Sequence, residues 1–244
     1  MSARVTTVIF DMFETLVPND PEQWVEVFQR IIRDQRLNVT DKALWSTWKK
    51  HEVAFRELRL NLQDFSKNPP FKPYTEAWSE SFDLAFRDLH LRGDTASAVE
   101  ACLEALRSRV PYPETHEALA TLRRRYRLGL VSNADDNYLD GVIARNKFKF
   151  EVVLSSEAAK TYKPDPRLFL QAMKLMGVSL AECVYVGDRQ FEDVLGARLT
   201  GTRCVWINRL DAPLKPDLPL PDATITRLTD LPHAIEAMER APAV

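Results

Sequence analysis

Asp11 closes the apolar run Val8-Ile9-Phe10, at the point where a buried strand ends and a loop begins. A carboxylate placed there is a nucleophile, a metal ligand or simply a polar residue ending a strand, and open α/β sheets bind ligands at the carboxyl ends of their strands. Two later segments repeat the pattern: Leu128-Gly129-Leu130-Val131 runs into Ser132-Asn133, and Val184-Tyr185-Val186 runs into Gly187-Asp188. Asp193 follows within the first turns of the helix expected after Asp188, where acidic residues also favour the helix dipole. Carboxylates converging from Asp11, Asp188 and Asp193 would repel one another unless a hard cation such as magnesium neutralised them. Lys163, set between prolines in Tyr162-Lys163-Pro164-Asp165-Pro166, is held rigidly enough to balance a nucleophile's charge and bind a substrate anion. Lys160 has no such local restraint and ranks below it. Ser132 offers a hydrogen bond to a phosphoryl or carboxylate oxygen or caps a helix, and Asn133 is suited to orienting its loop.

These residues need strands that end together. Val5–Phe10, Leu128–Val131, Val152–Leu154, Val184–Val186 and Cys204–Ile207 read as strands, and from residue 112 onward they alternate with helical stretches, as in repeated βαβ units. A largely parallel sheet follows from that alternation. Between the first strand and the rest, residues 18–110 are helical, amphipathic and tryptophan-rich, with Trp24, Trp45, Trp48 and Trp78. Pro69, Pro70 and Pro73 interrupt this stretch and predict a loop between two helix pairs. Pro111-Tyr112-Pro113 then opens a helix carrying Leu119, Leu122 and Tyr126 at helical spacing. The expectation is a doubly wound, mainly parallel, Rossmann-like α/β core domain of residues 1–17 and 111–244, with a helical cap domain, 18–110, inserted after the first site segment.

The 244 residues are 45% hydrophobic and 28% charged, a composition that supports a sizeable core, and the net charge of -2 gives no footprint for nucleic acid or an anionic membrane. Cys102, Cys183 and Cys204 lack metal or redox spacing, and their odd number argues against a disulfide framework. No apolar stretch approaches the roughly 20 residues needed to span a bilayer, and no signal-peptide h-region precedes the first strand. The expected partner is a small anionic molecule, the expected compartment the cytoplasm, and the protein a monomer or homodimer.

Together these segments resemble the four motifs of the haloacid dehalogenase superfamily: Asp11 through Leu16 the first, Ser132-Asn133 the second, Lys163 in Lys-Pro-Asp-Pro the third, and Gly187-Asp188 through Asp193 the fourth. The resemblance implies a hydrolase in which Asp11 attacks phosphorus or carbon to form an aspartyl ester that water then cleaves. It implies that Ser132, Asn133 and Lys163 bind the substrate. Mg2+ would be held by Asp11, the backbone carbonyl of Phe13, Asp188 and Asp193. The chain departs from the family's phosphatases at Phe13, where they carry a second aspartate as general acid and base. Such a loss typically costs about 10²–10⁴ in rate, which good leaving groups or water partly offset. An aromatic residue at that position resembles the family's metal-independent 2-haloacid dehalogenases, whereas Gly187-Asp188 resembles its metal-binding members. Three readings follow: a Mg-dependent phosphatase of small metabolites, a metal-independent dehalogenase, or a binding protein on a decayed hydrolase scaffold. Glu14 replaces the motif's usual glycine and reads as a solvated or salt-bridged loop residue, with a stand-in for the missing acid and base as the alternative. His51, His90, His116 and His233 match no motif, and the cap residues Arg30, His51, Arg56 and Arg59 read as an exposed helical face.

Overall fold

The computed structural model describes residues 4–240. In chain order, β1 (Thr7–Phe10) precedes α1 (Pro21–Gln35), α2 (Asp41–Leu58), α3 (Tyr74–Asp88), α4 (Thr95–Arg107) and α5 (Thr115–Arg123). There follow β2 (Arg127–Ser132), α6 (Asp136–Arg145), β3 (Val152–Ser155), α7 (Ser156–Ala159), α8 (Pro166–Met176) and β4 (Cys183–Gly187). A π-helical turn, Gln190–Val194, runs into α9 (Leu195–Thr200), before β5 (Arg203–Ile207), β6 (Ala223–Ile225) and α10 (Leu231–Arg240). Two compact units result, one of the described residues in Met1–Pro18, Val110–Asn133 and Asn146–Val244, the other of Asn19–Arg109 and Ala134–Arg145.

The first unit is an α/β fold built on a six-stranded, all-parallel sheet in the order β3-β2-β1-β4-β5-β6. The chain winds from β1 outward through β2 and β3 on one side, then through β4, β5 and β6 on the other. Asp11, Ser132 and Asp188 therefore belong to the three adjacent central strands, beside the point where the winding reverses. Successive strand residues point to opposite faces, and both faces are covered. Ile9, Val131, Leu154, Tyr185 and Trp206 pack with Leu168, Phe169 and Met173 of α8, while their neighbours Val8, Phe10, Leu130, Val184 and Val186 are equally buried. Each fully buried side chain of this size stabilises the fold by about 1.5–3 kcal/mol.

The second unit is helical. Asp20 and Thr40 cap α1 and α2 by accepting from Gln23 and Ala43 N–H. Trp24 stacks on Trp48 at 5.9 Å between ring centroids, with Trp45 and Trp78 against the same cluster. The proline-rich segment predicted as a loop does connect α2 to α3. Pro73 cannot cap α3, and Asp135 does so instead, its buried carboxylate accepting Tyr74 N–H at 2.8 Å and Thr75 N–H at 2.7 Å. Tyr138 stacks on Trp78 at 5.8 Å, and Gly141 lies so near Arg107 that a Cβ there would come within 2.6 Å of its Cγ. Those contacts place Ala134–Arg145 with the helices, whereas the linear sequence groups that segment with the sheet. β6 and α10 were not expected, and α5 stops at Arg123, leaving Tyr126 beyond its end. Among the described residues no helix is long and apolar enough to cross a membrane.

Candidate active site

Asp11 is delivered by the sheet ladder itself, because its N–H donates to Val186 O at 2.9 Å and continues the β1–β4 pairing one residue past the strand. Beyond it the chain turns tightly: Leu16 N–H bonds Met12 O, and Glu14 N–H bonds Val17 O at 2.7 Å. Glu14 has φ 63°, the left-handed region that favours glycine, which explains why the motif usually has a glycine at this position. Its carboxylate accepts from the Tyr112 hydroxyl at 3.1 Å. Arg209 stacks over the Tyr112 ring at 3.7 Å and donates to Thr15 O, holding this loop against the sheet. Phe13 is half-buried and bridges to Val17.

Lys163 is aimed by its backbone. Asn133 grips it in two directions, its Oδ1 accepting Lys163 N–H at 2.8 Å and its Nδ2 donating to Lys163 O at 3.3 Å. Asp165, fully buried, caps α8 through Arg167 N–H and accepts from Thr161 Oγ1 at 2.8 Å, so the segment around Lys163 is tied at both ends. Asp193 comes from the π-helical turn, in which Asp193 N–H and Val194 N–H both bond Arg189 O. Gly187 leaves the room it needs, since a Cβ there would sit 2.3 Å from Asp193 Cγ.

The result is one cluster. Ser132 Oγ donates to Asp11 Oδ1 at 2.8 Å, and Lys163 Nζ donates to the same oxygen at 2.7 Å. Lys163 also donates to Asp193 Oδ1 at 2.6 Å. Asp11, Asp188 and Asp193 each offer a carboxylate oxygen within 4.8 Å of the others. Asp11 Oδ2 accepts no hydrogen bond from the described residues and keeps its lone pairs for other work.

Three carboxylates, two buried and Asp188 partly exposed, meet one buried ammonium and, 3.6 Å from Asp188, the exposed Arg189 guanidinium, so the cluster stays net negative. Burial pushes the Asp11 carboxyl up to about 6 against the pull of Lys163. Burial, reinforced by Asp193 and Asp11, holds Asp188 well above the usual carboxylate range. Burial works against the charge on Lys163, but Asp11 and Asp193 outweigh it and keep the ammonium protonated beyond its ordinary range. Oxygen-only donors in negative excess fit a hard divalent cation such as Mg2+, and Asp188 also lines a pocket of about 230 Å³ with Glu14, Arg189 and Arg209.

A family model described as haloacid dehalogenase-like hydrolase matches residues 5–201. The chain belongs to this family. Among its relatives, a haloacetate dehalogenase H-2 from Moraxella sp. is 25% identical over 95% of this chain and 98% of its own. A glyceraldehyde 3-phosphate phosphatase from Methanopyrus kandleri is 27% identical over 97% of this chain and 99% of its own. The solved L-2-haloacid dehalogenase from Xanthobacter autotrophicus, with chloropropionic acid covalently bound, shares the fold at a TM-score of 0.75 and 20% identity, over 96% of this chain and 99% of that one. This haloacid dehalogenase-like hydrolase therefore has relatives on both sides of the phosphorus–carbon divide.

One residue of this hydrolase's site escapes a reading of the sequence. Tyr185, in the middle of β4, accepts from Lys163 Nζ at 3.0 Å and donates to Asp193 Oδ1 at 2.9 Å, completing the three bonds available to the ammonium. In the linear sequence it passes for one more strand-forming aromatic, and the only signal is that a fully buried tyrosine hydroxyl needs a partner. Tyr185→Phe is expected to lower stability by about 1–3 kcal/mol by leaving charged groups short of a partner. Turnover should fall roughly tenfold as Lys163 loosens, about 1.4 kcal/mol of barrier; denaturant unfolding and initial rates measure the two effects. Elsewhere, Arg30 pairs with Glu104 at 3.0 Å, His51 with Asp88 at 2.8 Å and Arg56 with Glu52 at 3.7 Å, all within the helical unit. Arg59, expected on an exposed helical face, is instead buried and donates to the Tyr74 hydroxyl there. Lys160 caps the short α7.

Proposed function

We propose that the protein is a Mg-dependent phosphatase of small anionic metabolites, working through an aspartyl ester on Asp11. The observation that carries this reading is the excess of carboxylates: Asp11, Asp188 and Asp193 lie within 4.8 Å of one another against one buried lysine and the exposed Arg189 beside Asp188. A site with that balance repels a haloacid carboxylate unless a cation is added, whereas a divalent ion and a phosphate complement each other in it. Bound there, Mg2+ would supply Lewis-acid stabilisation of the phosphoryl oxygens. Asp11, Asp188, Asp193 and the Phe13 carbonyl are the groups assigned to hold it.

Oδ2 of Asp11 is the oxygen assigned to attack, since Oδ1 is occupied by Ser132 and Lys163. Those two donors are placed to shift onto the transferred group's oxygens as negative charge moves there. Asn133 keeps Lys163 in place during that shift. The three cysteines are free and buried, which suits the reducing cytoplasm proposed as its compartment, as monomer or homodimer.

The second reading, hydrolysis of a 2-haloacid without metal, is favoured by Phe13 and by the Moraxella relative. Release of phosphate from aryl phosphates and of halide from 2-chloropropionate, each with Mg2+ and with a chelator, separates the two. Chelation is expected to cut phosphate release by at least about 10²-fold, several kcal/mol of barrier. Chelator-resistant halide release with no phosphate release would establish the rival. Mg2+ competes with protons for Asp11 and Asp188, both with raised pKa. The rise in melting temperature that Mg2+ produces should therefore be full at pH 8 and shrink as pH falls through about 6.

A further inference from the structure

We infer that the substrates are phosphates whose leaving group departs as a stable anion, such as acyl phosphates, phosphoanhydrides or acidic aryl phosphates, rather than alkyl phosphates. This rests on the phosphatase reading and narrows it. In the first step the bond from Asp11 Oδ2 to phosphorus forms while the bond from phosphorus to the leaving oxygen breaks, and that oxygen takes the electron pair. An alkoxide needs a proton at that moment. In the second step water's oxygen bonds to phosphorus, the Asp11 ester breaks, and water's protons pass to phosphate and solvent.

Among the described residues, the groups hydrogen-bonded around Asp11 leave no uncommitted proton for the first step. Phe13, two residues after the nucleophile, has no ionisable atom. Glu14 lines the pocket beside Asp188, and its carboxylate is an acceptor there, taking the Tyr112 hydroxyl's proton at 3.1 Å. Ser132 and Lys163 bond Asp11 and Asp193 at rest and are assigned to the transferred group's oxygens, not to the leaving oxygen, and Tyr185, fully buried, gives its proton to Asp193. Asp188 is the ligand assigned to the cation. None of the site's hydrogen bonds involves a histidine. A leaving oxygen stable without a proton is the chemistry that such a site accepts.

The test is kcat/KM with Mg2+ for acetyl phosphate, 4-nitrophenyl phosphate, phenyl phosphate and ethyl phosphate, with Asp11→Asn as the blank. The expected result is a monotonic fall along that series, of at least about 10²-fold from the nitrophenyl to the ethyl ester. Glu14→Gln should leave the slope unchanged. Phe13→Asp should flatten it by raising the rate on ethyl phosphate. Ethyl phosphate turned over within tenfold of the nitrophenyl ester would overturn the inference and leave the phosphatase reading standing, as would a slope steepened by Glu14→Gln. Absence of Asp11-dependent phosphate release from all four esters would overturn both. The wild-type series decides even where Phe13→Asp does not fold.

Discussion

Asp11→Asn is expected to abolish turnover, by about 10⁴-fold or more, while raising the melting temperature of the metal-free protein. The loss follows from removing the attacking oxygen's charge. The gain in stability follows from the pKa: ionised Asp11, pushed from 3.8 up to about 6 by burial, is disfavoured in the folded state by on the order of 3 kcal/mol at neutral pH. Asparagine keeps the shape and gives up some of that penalty's compensation, the charged hydrogen bonds to Ser132 and Lys163. A net gain of about 1 kcal/mol, or about 2–4 °C, is the expectation. The sign reverses nowhere, but it has a pH window. A folded pKa raised above its unfolded value means that wild-type stability is highest below 3.8 and is lost as pH rises through about 6. The variant's advantage should therefore be present at pH 7 and vanish near pH 4. Thermal melts in chelator at the two pH values, paired with initial rates in Mg2+, test it; a variant less stable than wild type at pH 7 would mean that Asp11 is a structural anion.

Lys163→Met is expected to have the opposite signature on stability. It removes the single ammonium that bonds both Asp11 and Asp193, in a position 3% exposed at the side chain. Breaking a buried ion pair from one side typically costs about 3–5 kcal/mol, a large share of a domain's net stability. Activity should fall by about 10²–10³-fold through loss of the donor to the transferred group. Arginine should not restore it, because a planar guanidinium cannot reproduce three bonds of 2.6–3.0 Å made by one nitrogen. Since the carboxylates left behind lose their one buried counter-charge and keep only the exposed Arg189 beside Asp188, Mg2+ should raise the melting temperature of Lys163→Met more than that of wild type. An equal or smaller rise would remove the proposed sharing of charge between lysine and metal.

Much of this site is legible in the sequence because its parts sit at the ends of continuous apolar runs. Val8–Phe10, Leu128–Val131 and Val184–Val186 are buried on both faces, so each reads as a strand, and the first polar residue after each marks the sheet edge. The prolines around Lys163 and the inserted helices were readable for the same reason: local chemistry decided them. What escaped depends on residues distant in the chain. Asp135 looks like a loop acid, and only the folded chain shows it capping α3. Tyr185 looks like a strand former, and its hydroxyl acquires meaning only from Lys163 and Asp193. β6 is three residues, Ala223–Ile225, too short to leave a pattern.

The widened turn at Gln190–Val194 carries a consequence for how this chain tolerates change. Its hydrogen bonds skip one residue more than an α-helix allows, Val194 to Arg189 and Leu195 to Gln190. Excising a single residue there would restore ordinary helical pairing and swing the following side chains by about 100° around the axis. The carboxylate now opposite Lys163 would point elsewhere, with β4 and α9 keeping their lengths. Segment length at this spot is thus as decisive as residue identity for where Asp193 and the buried Val194 and Ala197 point.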